Sequence, residues 1–204
     1  MPSKVKKVHI STHSGKLEGL HSINTSPLNN SFCKKNSKIK SMVCSSCYTH
    51  RFLGRRPNAV KAFKRNGKLL SDKILKEEEL PVLNDRYVRF HSFGELINTN
   101  HFNNFMNIAR RNSGTTFALW TKRKDIVQRN MHKVPKNVIL VYSTPKKDGA
   151  NFIPRGFDRC FTVYSKEFVK KNKIPINCGG KKCLDCLICY KRSSGIRYVN
   201  EVIK

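Results

Sequence analysis

The stretch 87–145 contains, in succession, YVRFHSF (87–93), NTNHFNNFMNIARRNSG (98–114), TTFALWTKR (115–123), KDIVQRNMH (124–132) and NVILVYSTP (137–145). YVRFHSF alternates with the period of two of a strand. In the next segment Phe102, Phe105, Met106 and Ala109 recur on one helical face, Arg110 and Arg111 fall in the last turn, and Gly114 lies past the end, as in a capped helix. TTFALWTKR and NVILVYSTP are apolar, β-rich runs bounded by turn residues, and KDIVQRNMH between them predicts a short helix. Strand, helix, strand, helix, strand predicts parallel pairing, because a parallel neighbour is reached only through a crossover.

Outward from this stretch, PNAVKAFKRNGKLLSDKILKEEEL (57–80) repeats Val60 and Phe63, then Leu70 and Ile74, at helical spacing, and Gly67 predicts a break into two helices. RCFTVYS (159–165) adds a strand and EFVKKN (167–172) a short helix, while PKKDGANFIPRGF (145–157) reads as the one flexible loop. No repeat or low-complexity tract interrupts the chain. It reads as one α/β domain over 1–204, with an N-terminal strand and cysteine loop (1–56), α/β repeats (57–172) and a C-terminal cysteine cluster (173–204). The 204 residues fall short of the ~250 of an eightfold barrel. A partial (β/α) barrel is therefore favoured over an open doubly wound parallel sheet. In both, function sits at the C-terminal ends of the strands, which selects His91, Ser92 and Glu95, then Thr121 and Lys122, Ser143 and Thr144, and Tyr164 and Ser165.

Lys and Arg number 41 against 13 Asp and Glu, a net charge of +28, and 38% of the residues are hydrophobic. That apolar share is enough to bury a core and argues against wholesale disorder. A compact body so charged repels itself, and a polyanion offsets that cost, so nucleic acid is the favoured partner; the blander reading is that the charge serves solubility. The basic residues are spread along the chain, which predicts a broad face and not a detachable arm. No apolar run approaches the ~18 residues of a membrane span, and the start MPSKVKKVHIS lacks a signal-peptide core. The sequence predicts a cytoplasmic protein.

Of 8 cysteines, all but Cys160 are clustered. Closely spaced thiols in a reducing compartment point to metal. Cys178, Cys183, Cys186 and Cys189 form C-x4-C-x2-C-x2-C, in which both ferredoxin spacings overlap; Gly179 and Gly180 allow a sharp turn beside the first. These overlapping short spacings suit an iron–sulfur cluster, of the 4Fe-4S type, better than the separated knuckles of zinc modules, with zinc as the alternative. Cys33, Cys44 and Cys47 supply three thiolates. Either a fourth ligand comes from Cys160, His50 or a C-terminal cysteine, giving a closed structural site, or one coordination position stays open, as catalysis needs. Cys160, ahead of FTVYS, reads as a buried apolar thiol.

CSSCY, RFHSFGELIN, IARR, FALWTKR and the closing C-x2-C-x2-CY, in this order over roughly residues 20 to 192, resemble the phage and plasmid family called gene product 88, whose members look like truncated relatives of radical S-adenosylmethionine (SAM) barrels. The resemblance implies an iron–sulfur cluster on Cys33, Cys44 and Cys47, SAM at its open iron, and a second metal site at the C-terminal cysteines. Glu95 stands where the family has an acidic Ser-Gly-Asp. The first cysteine gap here is ten residues, where radical SAM enzymes have three, and no glycine-rich SAM segment is recognisable.

Two classes of function follow. One is a basic, cluster-containing phage protein that binds nucleic acid, in the host cytoplasm and without turnover; Trp120, Tyr142 and Tyr164 are candidates to stack unpaired bases, although aromatics on parallel strands are more often core. The other is a radical-SAM-like enzyme that modifies nucleic acid or nucleotide, with His91 and Glu95 positioning SAM or substrate. A zinc-stapled nucleic-acid-binding protein is a third reading. Arg55 and Arg56, beyond CSSCYTHRFLG, and Lys122 and Arg123, at a strand end, are candidates to grip phosphate.

Overall fold

A computed structural model describes residues 7–203, apart from the side chains of His50 and Arg51. Residues 1–6, the basic opening, lie outside it. Strands β1 (His21–Ile23), β2 (Tyr87–Phe90), β3 (Thr116–Thr121), β4 (Val138–Ser143), β5 (Arg159–Tyr164) and β6 (Tyr198–Val202) form one sheet in chain order. Every neighbouring pair is parallel. The crossovers contain α1 (Ser31–Ser37), α2 (Tyr48–Gly54), α3 (Pro57–Asp72), α4 (Thr99–Arg111), α5 (Lys124–Asn130), α6 (Lys166–Asn172) and α7 (Cys183–Cys186). Crossovers that always step to the same side leave helices such as α4 and α5 on one face, whereas α7, in the cysteine segment, lies on the other. The chain thus winds as in a barrel, without the reversal of a doubly wound sheet, and the sheet stays open between β1 and β6.

On the helix-covered face, Val88 and Phe90 of β2, Phe117 and Leu119 of β3, and Val138 and Leu140 of β4 pack against Phe102, Phe105, Met106 and Ala109 of α4 and Ile126 and Val127 of α5. Phe90 stacks on Phe105 and Phe117, with ring centroids 4.1 and 4.7 Å apart. The helical face read from the sequence of α4 is the one buried, and the Asn98 side chain caps its start by accepting the His101 N–H. All of β4 is buried, as a strand covered on both faces must be.

The opposite face is covered by the C-terminal cysteine segment. Ile139, Val141, Phe161 and Val199 pack with Trp120, Cys178, Ile188 and Cys189, while Leu20, Ala118 and Tyr190 pack with Tyr87, Cys183, Leu184 and Leu187. Arg159 secures this segment by donating to Ser194 Oγ at 2.8 Å, to the Lys191 carbonyl at 2.6 Å and to the Ile196 carbonyl.

Gly67 does not split its helix, which runs unbroken from Pro57 to Asp72. A Cβ there would lie 3.4 Å from Ile97 Cδ1 and 3.9 Å from Thr25 Cβ, ordinary packing distances, so the helix runs on against the loops after β1 and β2. Beyond Asp72, Glu77–Glu79 form a single 3-10 turn. The 145–157 segment is tied at both sides: Val43 N–H donates to the Pro145 carbonyl at 2.8 Å, and Asp148 accepts the Ser165 N–H at 2.6 Å and its hydroxyl at 3.0 Å.

Candidate metal centres

Local structure explains the long first gap between the N-terminal cysteines. Asn30 caps α1 by accepting the N–H groups of Phe32 and Cys33 at 2.9 and 3.3 Å, so Cys33 sits in the first turn. The helix then fills most of the interval to Cys44, which lies in a 3-10 turn (Val43–Ser46). Cys47 is the residue before α2. Phe93, in the loop after β2, holds that helix through Phe52 at 4.6 Å and Tyr48 at 5.7 Å, and also packs on Phe63 of α3 at 5.6 Å. The loop around Cys44 is fastened to the loop after β4 by a Met42–Lys146 bridge and by the Lys147 N–H donating to Ser41.

These contacts set Cys33 and Cys44 within electrostatic range of Glu95 and Lys122, beyond the C-terminal ends of β2 and β3. Burial pushes the Cys33 thiol up first, the Glu95 carboxylate pushes the same way, and Lys122 opposes both; Cys44 and Cys47 act on it in turn. Cys44 is pushed up by burial, opposed by Lys122, with Cys47 also in range. Glu95 is buried, 3% exposed. Its carboxylate accepts the N–H groups of Leu96 and Lys122 at 2.8 Å each and the Thr121 hydroxyl. Burial raises its pKa, against the pull of Lys122 and these hydrogen bonds. Lys122 Nζ donates to Ser143 Oγ at 3.2 Å.

The C-terminal thiols lie on the other face of the sheet, where Cys178, Cys183 and Cys189 pack against its apolar residues. Cys183 lies within range of Cys178 and Cys186, and Cys189 within range of Cys178 and Cys183. Burial pushes Cys189 up to about 12, and the nearby Arg89 works against it. Lys16 Nζ is 3.2 Å from Cys178 Sγ and 2.6 Å from Glu201 Oε1. Two buried donors beside these thiols, Trp120 Nε1 and the Tyr190 hydroxyl, have no acceptor among the described residues; the Arg89 guanidinium approaches the Tyr190 hydroxyl outside hydrogen-bond geometry.

Among the described residues no three His, Cys, Asp or Glu side chains converge as ligands of one metal ion. The donor set is nonetheless of the right chemistry for an iron–sulfur cluster: all thiols, flanked by cations and by buried donors that sulfur acceptors would satisfy. Cys160 is fully buried in the helix-side core, 3.5 Å from Thr162 Oγ1, as an apolar thiol should be. His50, named as a fourth ligand, lies outside the described side chains.

The remaining candidates fall in different places. His91, with a left-handed φ of 67°, packs edge-on against His101 and Phe105 with centroids 5.1 and 5.0 Å apart. Neither ring nitrogen makes a hydrogen bond, the Trp120 backbone lying near without the geometry for one. Burial holds His91 down to about 3. Arg55 and Arg56 are exposed, Arg56 lying 4.6 Å over the Phe52 ring. Arg123 is already engaged: it donates to both Asp125 oxygens at 2.9 and 2.7 Å and to the carbonyls of Leu96 and Ile97, so it organises the loop ends instead of presenting a free guanidinium. Tyr142 and Tyr164 are core residues, 7% and 2% exposed, and cannot stack bases; Trp120 is covered by Arg89 at 4.0 Å and Phe161 at 4.6 Å.

Sequence reasoning missed Arg89, Lys16 and Tyr190. Alternation in YVRF places Arg89 on the face opposite Val88 and Phe90, which was a usable signal; the approach of Lys16 to Cys178, 162 positions away, left none.

An all-parallel α/β sheet, wound in one direction and carrying thiols near its strand ends and on the face that its C-terminal segment covers, defines the class. The profile of the gene product 88 family matches residues 3–197, and the chain belongs to that family. No curated protein and no solved structure matches it.

Proposed function

We propose that the protein is an iron–sulfur protein that binds nucleic acid on the face around its N-terminal cysteines. The observation that carries this reading is the gathering of seven of the eight cysteines into two groups, each beside basic side chains. No acidic residue occurs between Glu18 and Asp72, the span that contains Cys33, Cys44 and Cys47. Lys34, Lys35, Lys38, Lys40, Arg55 and Arg56 are exposed in it, and Lys146 and Lys147 are exposed on the adjoining loop. Cations free of carboxylate partners are what a phosphate backbone displaces counterions to reach. A cluster held by the thiols would supply a structural staple or a one-electron store; α1 and α2 orient the thiols, and Glu95 fixes the strand ends beneath them.

A second reading is favoured by one observation. The N-terminal group contains three cysteines and stands at the C-terminal ends of the strands, where enzymes of this architecture work. A three-thiol cluster with an open position suits radical-SAM-like modification of nucleic acid or nucleotide.

Binding of fluorescently labelled single-stranded and duplex oligonucleotides, followed by anisotropy from low to high salt, tests the proposal. Affinity should fall steeply and linearly on a log–log plot, and the combined variant Lys34→Gln, Lys35→Gln, Arg55→Gln, Arg56→Gln should flatten the slope by about four counterions at ~0.7–0.9 per contact. Affinity that ignores salt, or that the variant leaves unchanged, would overturn it. SAM binding lost in Cys44→Ala would favour the second reading.

A further inference from the structure

We infer that Arg89, Lys16 and Tyr190 form the charge-compensating and hydrogen-bonding cage of a redox-active cluster on Cys178, Cys183, Cys186 and Cys189. This rests on the iron–sulfur reading above and assigns roles that it leaves open.

Arg89 lies in the middle of β2, paired in register with Ser22 and Ala118, on the face that the cysteine segment covers. Its guanidinium carbon is 4.0 Å from the Trp120 ring, and its Nε donates to the His91 carbonyl at 3.2 Å. Ala118 and Trp120, which flank it, belong to the apolar cluster that also contains Tyr190 and Cys189. Among the described residues Arg89 makes no ion pair. A half-buried cation packed on an aromatic ring and without an opposite charge is costly for a fold to hold. Lys16, 3.2 Å from Cys178 Sγ, brings a second cation to the same thiols, and Glu201 answers only that one, at 2.6 Å.

Two cations and one carboxylate leave an excess positive charge, which neutral thiols do not balance. Four thiolates around iron and sulfide carry net negative charge and do. The same site presents the Tyr190 hydroxyl and Trp120 Nε1 without acceptors, and thiolate or sulfide sulfur accepts hydrogen bonds. One acceptor group therefore accounts for the unpaired cation and for both unsatisfied donors.

Charge and donors of this kind act more strongly on the reduced cluster, which carries one more electron, and so raise the reduction potential. The couple is one-electron: dithionite supplies the electron, no bond forms or breaks, and the two adjacent cations offset the added charge.

The test uses the full chain with Cys33→Ser, Cys44→Ser and Cys47→Ser, reconstituted without oxygen so that any cluster occupies the C-terminal group, beside the unaltered chain. Iron and sulfide content and the midpoint of a dithionite titration, followed by visible absorption, are compared for Arg89→Gln, Arg89→Lys, Lys16→Gln and Tyr190→Phe. The cage predicts a more negative midpoint in Arg89→Gln, Lys16→Gln and Tyr190→Phe, with Arg89→Lys near the parent value. Tyr190→Phe should leave the cluster-free chain no less heat-stable, because its hydroxyl has no partner there, which separates the cage from a structural role. Unchanged midpoints in Lys16→Gln and Tyr190→Phe at full iron content would overturn the cage alone, and these two decide the matter if Arg89→Gln fails to fold. A parent chain that takes up neither iron nor sulfide would overturn the underlying reading instead.

Discussion

The Glu95 carboxylate accepts the backbone N–H of Lys122 at 2.8 Å, so an acid from the loop after β2 fastens the end of β3. The same carboxylate takes the Leu96 N–H and the Thr121 hydroxyl, and the Glu95 carbonyl accepts Asn30 Nδ2 at 3.0 Å from the cap of α1. One residue thus ties three loops beneath Cys33. Glu95→Ala strands three buried donors at about 1–3 kcal/mol each before relaxation, and should lower stability by ~3 kcal/mol or more in urea unfolding. Glu95→Gln keeps one oxygen acceptor but turns an N–H₂ group toward a donor, and should cost less than the alanine variant but more than nothing.

Gly94 adopts a φ of 94°, and a Cβ there would stand 2.3 Å from both the carbonyl and the hydroxyl oxygen of Thr25. The backbone of the loop after β2 passes directly over the loop after β1, and no L side chain fits. Gly94→Ala should cost at least ~2 kcal/mol from strain and displaced contacts. By contrast Gly114→Ala, with open space around its Cβ, should be close to neutral when both variants are compared by urea unfolding.

His91 and His101 pack edge-on inside the core, both buried, and burial is the first cause holding each below the ordinary value of 6.5. Their folded forms are neutral, whereas the unfolded chain takes up protons as pH falls through 6.5. Their stabilising contribution is therefore complete above about 6.5 and declines as pH drops toward their folded values, by up to ~1.4 kcal/mol per pH unit for each. Urea midpoints measured from pH 7 to 5.5 should fall. A double variant, His91→Phe with His101→Leu, should show a shallower fall provided it folds, and His101→Leu alone serves if it does not.

Periodicity made the helix-side half of the fold legible, because α4, β3 and β4 bury their patterned faces against one another as the residues imply. Gly67 misled, since one glycine weakens a helix by only about 1 kcal/mol, which the packing of buried Phe63 and Leu70 in α3 outweighs. Strand β6 was hidden because Tyr198–Val202 mixes Asn200 and Glu201 among its apolar residues: Asn200 hydrogen-bonds the Pro175 carbonyl at 2.9 Å and Glu201 pairs with Lys16, contacts that burial statistics do not anticipate. The cysteines announced themselves by spacing. Their surroundings did not, because Lys16, Arg89 and Glu95 reach the thiols from other elements, through crossovers whose geometry only the folded sheet defines. Arg123 looked available at a strand end and is instead bound by Asp125, a local pairing two residues away that the sequence did contain.

The most direct measurement is iron and acid-labile sulfide per chain, with the visible spectrum, on protein purified and handled without oxygen. The unaltered chain is compared with variants in which Cys33, Cys44 and Cys47, or Cys178, Cys183, Cys186 and Cys189, are alanine. The account predicts iron with matching sulfide, partly lost in each variant and absent when both sets are replaced. Zinc without sulfide, persisting after anaerobic reconstitution with iron and sulfide, would contradict it and leave a zinc-stapled protein.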